Sequence, residues 1–248
     1  GSIGAVYEER DKGFNAPGRY TLADERIIDA HVELKPTEAL TLTGRFDQVE
    51  RSDGVMRRDA SAEAKVRLNE RVSVQGGVLH SDSESSAALY DGVGQRTDVG
   101  GRITWHGDGE DEFYVFGQAT VARDSTRERN DRVGIGFETD ISENLRAEAQ
   151  LSYGTSGLGL LGALTWEPTS GDKYYVGYRL VPDSIGGDLV SYDPFGRDNG
   201  TLVTGIRRQL SESMSAWTEH NFDLIGTSQG LVQAYGVEFR PDAFWTLS

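Results

Sequence analysis

The sequence has no cysteine and only four histidines in 248 residues. Without cysteine there are no disulfides, no thiolate metal sites and no cysteine nucleophile. This leaves the compartment open, because many bacterial envelope proteins lack cysteine. Long hydrophobic runs are also missing. A membrane-spanning helix needs roughly 20 consecutive apolar residues, and the best run here, Leu158 to Leu164, contains two glycines. A helical membrane protein is therefore excluded. A membrane β-barrel is not, since its strands need about 9–11 residues and only one face meets lipid. Positive charge is scarce, with 25 Lys plus Arg against 40 Asp plus Glu and a net charge of −15. Such a chain does not neutralise phosphates, so nucleic acid is not an expected partner. Glycine is plentiful at 31 residues, which leans toward β structure with many turns.

The apolar residues that are present recur with period two rather than 3.6. Ile28, Ala30, Val32 and Leu34 alternate with Asp29, His31 and Glu33. Leu40, Leu42, Gly44 and Phe46 alternate with Thr41, Thr43, Arg45 and Asp47. The same pattern runs through Ala60 to Leu68, Val72 to Val78, Val99 to Trp105, Val133 to Phe137, Leu145 to Tyr153 and Leu231 to Phe239. The segment Asp59 to Glu70 comes nearest to a helix in composition, but its alanines fall at every second position, so a strand is expected there. The expected strands run about 9–13 residues, longer than the usual globular strand.

The connections divide into two sets. Tight turns are expected at Lys35–Glu38, Leu68–Arg71, His106–Asp111, Asp140–Asn144, Glu167–Lys173, Leu210–Ser213 and Arg240–Asp242. Longer polar loops are expected at Glu9–Asp24, Glu50–Arg58, Ser81–Gln95, Arg123–Asp131, Pro182–Gly200 and Asp223–Gln229, with Thr155-Ser156 as a short exception. Strands placed between them number about 14, within a range of about 12–16. Strand restarts at Glu70, Glu143 and Glu212 form a weak repeat of one hairpin plus its loop. A propeller blade of that length packs four short strands; here only two long ones fit.

At this point the chain resembles the transmembrane β-barrels of the Gram-negative outer membrane, porins among them. The resemblance covers Ile3 to Phe239 and rests on pattern, so it names an architecture. It implies an all-β, antiparallel up-and-down barrel in the bacterial outer membrane, in contact with lipid and lipopolysaccharide. Members of this family commonly end on an aromatic-terminated strand. This chain ends Phe244-Trp245-Thr246-Leu247-Ser248, and Tyr235 to Phe239 fits such a strand better. Residues 1–248 are read as one barrel domain, with the alternative that it is part of a longer barrel or of a larger envelope protein.

The polar face carries charges of both signs at mid-strand. These are Arg45, Asp47, Glu63, Lys65, Arg67, Asp98, Arg102, Arg132, Glu138, Arg146, Glu148, Arg179, Arg207, Glu219 and Glu238, the candidate pore lining. A water-filled lumen tolerates mixed charge through cross-strand pairing; so does the outside of a soluble sandwich. The aromatics discriminate better. Trp105, Phe113, Tyr153, Trp166, Tyr174 and Phe244 fall on the apolar face near turns or loop ends, where interfacial girdles sit. Because the strand charges nearly balance, the surplus acid is assigned to loops: Asp82, Glu84 and Asp91 in one, Asp183, Asp188, Asp193 and Asp198 in another. Acidic loops at a mouth enrich cations.

No chemistry of the catalytic kind is visible. His31, His80, His106 and His220 do not pair at metal-ligand spacing. Outer-membrane phospholipases carry a Gly-x-x-His-x-Ser element; Gly77 and His80 match it, but Asp82 stands in the serine position and Ser81 faces the other way. Gly157-Leu158-Gly159 and Gly186-Gly187 precede no helix, so they make no phosphate cradle. No cofactor and no enzymatic activity are expected. The expected function is passive, weakly cation-preferring diffusion of ions or small hydrophilic solutes, filtered by the strand charges and the Ser184–Asn199 loop. An anchor or translocation barrel with envelope-protein partners, and a soluble secreted β-sandwich binding protein, are the alternatives.

Overall fold

The computed structural model describes residues 1–13, 15–16, 19–20, 23–85, 93–109, 111–155, 157–180, 200–224 and 231–240. β1 (Ser2–Arg10) is followed by a small hairpin of β2 (Asn15–Ala16) and β3 (Arg19–Tyr20). Then come β4 (Glu25–Thr37), β5 (Leu40–Arg51), β6 (Val55–Arg67), β7 (Val72–Ser85), β8 (Gly94–His106) and β9 (Glu112–Arg123). The chain continues through β10 (Arg132–Ser142), β11 (Leu145–Gly154), β12 (Gly157–Thr169), β13 (Asp172–Leu180), β14 (Thr201–Ser211), β15 (Met214–Asp223) and β16 (Leu231–Phe239). Apart from the small hairpin, all strands belong to one 14-stranded antiparallel sheet in which each pairs with its neighbour in sequence. The fold is all-β, antiparallel and up-and-down, the strand order of a meander barrel. The segment 59–70 that resembled a helix in composition lies largely in β6.

Directly paired residues share a face, so the register fixes both faces along the whole sheet. One row runs Leu42, Ala64, Gly76, Gly101, Gly117, Val133, Tyr153 and Leu158. The next runs Thr41, Lys65, Gln75, Arg102, Phe116, Gly134, Ser152 and Gly159. The apolar face is exposed: Val133 is 67% and Tyr153 70% accessible. The polar face holds the buried residues, with Asp98 at 1% and Arg132 at 2%. Among the described residues no second sheet packs on either face of this one. Polar side chains can then be buried only by their own neighbours, which requires that face to be concave. A soluble sandwich has the opposite arrangement, two sheets with their apolar faces together.

The two ends of the strands differ. Several strands run further into the tight connections than the sequence implies. β12 reaches Thr169, β13 starts at Asp172, and Gly171 takes φ 105°, open to glycine without strain. Thr37 Oγ1 accepts from the Leu40 amide (3.1 Å) and Asn69 Oδ1 from the Arg71 amide (2.8 Å), which holds two of the turns. Two expectations for the other end are corrected. The connection placed at Glu50–Arg58 shrinks to residues 52–54, because β5 and β6 stay paired as far as Glu50 and Met56 and Gly54 (φ 86°) closes the turn. Asp82 and Glu84 belong to β7 rather than a loop, paired with Gln95 and Met56 respectively. The other acidic residues of those loops, Asp91, Asp183, Asp188, Asp193 and Asp198, lie outside the described residues, as does Ser184–Asn199. So does Phe244.

Candidate functional site on the polar face

The register puts all fifteen charged residues of the expected pore lining on the concave face. Lys173 pairs with Arg207, Leu161 with Arg179, Glu138 with Glu148 and Asp140 with Arg146, which carries one parity across the sheet. Not all are close together. Arg96 and Asp98 form a buried ion pair at 2.7 Å, and Asp98 also accepts from Thr120 Oγ1 at 2.6 Å. Arg132 donates to Ser152 Oγ at 2.8 Å, and Arg146 pairs with Glu138. Arg102 stacks over the Tyr114 ring, 3.4 Å from its centroid, a favourable meeting of cation and ring face. Far along the sheet, Arg207 meets Glu238 at 3.1 Å. Around Arg102, Tyr114, Gln75 and Gln150 lies a narrow cleft of about 30 Å³.

Aromatic rings on this face lie down rather than stand up. Each covers a glycine on the neighbouring strand: Phe116 over Gly134, Tyr114 over Gly136, Tyr175 over Gly205, Trp217 over Gly236 and His31 over Gly4. A methyl group at Gly136 or Gly205 overlaps the tyrosine ring. Two of the rings reach one strand further. Tyr114 crosses Gly136 and donates from its hydroxyl to Gln150 Oε1 at 3.0 Å. Tyr175 crosses Gly205 and donates to Glu219. Glycine here serves close approach of a ring to backbone and lets the ring lie across the neighbouring strand.

The loop between β9 and β10 folds onto the same face. Arg127 donates to Ser81 Oγ of β7 at 3.2 Å. Asn130 is buried; its backbone N–H donates to Thr120 Oγ1 (2.8 Å) and its backbone carbonyl accepts from Gln118 Nε2 (3.1 Å). Arg129 holds Asp131 at 2.6 Å, and Asp131 accepts from the Thr120 amide at 2.8 Å. These bonds pull the Asp131 carboxyl below its ordinary value, the Arg129 hydrogen bond first. Residues 124–131 thus cover the loop end of β7–β10.

Two rows of acid run across neighbouring strands: Asp29, Asp47 and Asp59 on β4–β6, and Glu112, Glu138 and Glu148 on β9–β11. Among the described residues no group of three or more His, Asp or Glu has metal-holding geometry. His106 faces inward against Ser73 Oγ (3.0 Å) and Glu112 (3.1 Å). His80 faces outward and meets Thr97 Oγ1 at 2.9 Å, while Ser81 is buried on the opposite face. The exterior girdle aromatics pair up: Trp105 with Phe113 at 5.8 Å and Trp166 with Tyr174 at 5.2 Å, both beside turns. Sequence reasoning named the charges and missed Tyr114, Gln118, Thr120, Gln150 and Ser152; it placed a loop at Arg123–Asp131 without its fold onto this face. Parity with the charged positions is the signal that reaches the first five.

No protein-family model matches the chain, and no curated protein sequence does. Among solved structures, a substituted variant of the Rh. blastica porin is similar at 10% identity with a TM-score of 0.43, over 96% of this chain and 99% of that one. The case for the architecture rests on the register and the two faces above.

Proposed function

We propose that the chain forms an outer-membrane channel for passive diffusion of ions or small hydrophilic solutes, with weak preference for cations. One observation carries the reading: a single sheet with apolar residues outward and polar residues on its concave side. Lipid suits the first face and water the second. The fifteen charged residues named from the sequence then line the pore. Cation preference follows from the two acidic rows, Asp29–Asp47–Asp59 and Glu112–Glu138–Glu148, where six acids stand against the two arginines that pair with them, Arg57 with Asp59 and Arg146 with Glu138. The 124–131 loop narrows the mouth. Exposed lipopolysaccharide and lipid surround the wall, and the protein is not an enzyme. Planar-bilayer recording in a salt gradient tests this. A conducting protein with a cation-signed reversal potential is expected; no conductance, or anion preference, removes the reading.

A second reading, the anchor or translocation barrel of a larger envelope protein, has one observation in its favour. β1 and β16 share no ladder among the described residues. In hydrocarbon every backbone polar group needs a partner, so further strands of a larger wall would pair there. A disulfide formed within one chain between Ala5→Cys and Tyr235→Cys would show direct closure and set this reading aside.

A further inference from the structure

The outward face is apolar along β9 to β12, and one patch breaks the pattern on β14–β16. Thr204, His220 and Gln233 stand in one cross-strand row, with Thr218 in the row beside it. They lie inside the apolar belt. Phe222 and Leu231 flank them toward the loops, and Ala216, Val237, Met214 and Phe239 toward the turns, where Arg208 of β14 stands beside Ala216 and meets Asp172 at 3.8 Å. His220 Nδ1 meets Gln233 Nε2 at 2.9 Å, and His220 Nε2 meets Thr218 Oγ1 at 3.2 Å. Polar groups at that depth are poorly matched to lipid chains. Beside the patch is an outward groove of about 400 Å³, bounded by Leu164, Tyr174, Val176 and Ile206 with Thr218 and His220 at its near side. On the other side of Thr218 stands Tyr235, 69% exposed and directly paired with it. A knob and a hole thus lie on opposite sides of one strand, in the row Tyr235, Thr218, Ile206.

We infer that this face is the interface for a second copy of the chain, about a two-fold axis running along the bilayer normal over β15. Such an axis sets Tyr235 of each copy opposite the groove of the other. It brings the two His220–Gln233–Thr218 clusters together at the centre. The cluster is uncharged when His220 is neutral and holds both donors and acceptors, so it complements itself, as an isologous contact requires. Facing its own copy, its remaining donors and acceptors gain partners that lipid cannot offer. The aromatic knob supplies contact area around that polar centre, the usual place for the strongest contribution in an interface.

The native sequence has no cysteine, so single-cysteine variants report proximity cleanly. Thr218→Cys lies on the axis and Leu151→Cys on the exposed outer face of β11. In membranes under mild oxidation, Thr218→Cys is expected to give a disulfide-linked species of twice the mass and Leu151→Cys none. A monomeric Thr218→Cys, or equal cross-linking at both positions, overturns the inference. Tyr235→Ala without any cysteine is expected to weaken self-association in mild detergent by about tenfold or more. His220→Leu separates the two settings of this face. Against lipid it stabilises the monomer and leaves association unchanged, which counts against the inference; at the interface it lowers the dimer fraction.

Discussion

The inner faces of β8–β11 and of β14–β16 follow the same alternation and end in different environments. Arg96 and Asp98 are both buried at 2.7 Å, whereas Arg207, 46% exposed, meets Glu238 at 3.1 Å. The residues are of the same kind and the period is the same. What differs is their surroundings. β8 and β10 contribute Gly100, Gly134 and Gly136 to the inner rows, the rings of Phe116 and Tyr114 lie over two of them, and the 124–131 loop closes over the end. Over β14–β16 the ring–glycine contacts continue at Gly205 and Gly236, but among the described residues no loop seals the rows. Around β8–β10 the charges are thus buried by the 124–131 loop together with the packed rings, not by anything in the charges themselves.

The widest separation of the two regions comes from removing one acid in each. Asp98→Ala takes the carboxylate from a buried guanidinium and from Thr120, and is expected to cost about 3–5 kcal/mol of unfolding free energy. Glu238→Ala takes the carboxylate from two exposed guanidiniums, Arg207 and Arg240, which water can resolvate, and is expected to cost about 0–1 kcal/mol. Denaturant titration of both in the same lipid or detergent makes the comparison. Equal losses would mean that the two rows share one environment, and the contrast drawn above would go. Next in size is the glycine effect. Gly136→Ala places a methyl group into the Tyr114 ring, while Gly162→Ala points outward with nothing within 4 Å. The first is expected to cost about 1–3 kcal/mol by overpacking; the second is expected to be near neutral, and a similar loss from both would remove the ring–glycine account.

Much of this was legible before any coordinates, and the division is physical. Alternation at Leu145 to Tyr153 or Ala60 to Leu68 reports which solvent each face meets, so the strands, their number and the sidedness of the charges follow from it. Where the strands stop does not. Asp82 and Glu84 read as loop because acid suits solvated ends, yet ladder pairing to Gln95 and Met56 carries β7 through them. Inter-strand register is also invisible in a single chain. Nothing in the sequence places Tyr114 beside Gly136 rather than beside Gly134, since a slip of two residues keeps every side chain on its proper face. The Tyr114–Gln150 bond depends on that choice. Tyr114→Phe keeps the ring over Gly136 and loses only the hydroxyl, for which about 1 kcal/mol is expected. No loss at all would mean that the contact is held by the ring alone.

The smallest effect concerns the loop that distinguishes the packed region. Asp131 lies outside the strands, and its carboxyl accepts from Arg129 and from the Thr120 amide, so its folded pKa falls below the ordinary 3.8. A depressed acid contributes stability that is fully present above its unfolded value and lost as pH falls through the folded one. The loop should therefore hold its bond to Thr120 unchanged from neutral pH down to that ordinary value, and release it only below. The Thr120 amide resonance of isotope-labelled protein reads this directly, with a titration midpoint expected below 3.8. Asp131→Asn should abolish that titration while the amide stays protected, because the asparagine carbonyl still accepts. A midpoint at or above the ordinary value would show that Arg129 does not hold the carboxylate. The 124–131 loop would then be held by its other bonds, Asn130 to Thr120, Arg127 to Ser81, Arg96 to the Glu128 carbonyl and Thr155 to the Arg129 carbonyl, without the Asp131 carboxylate.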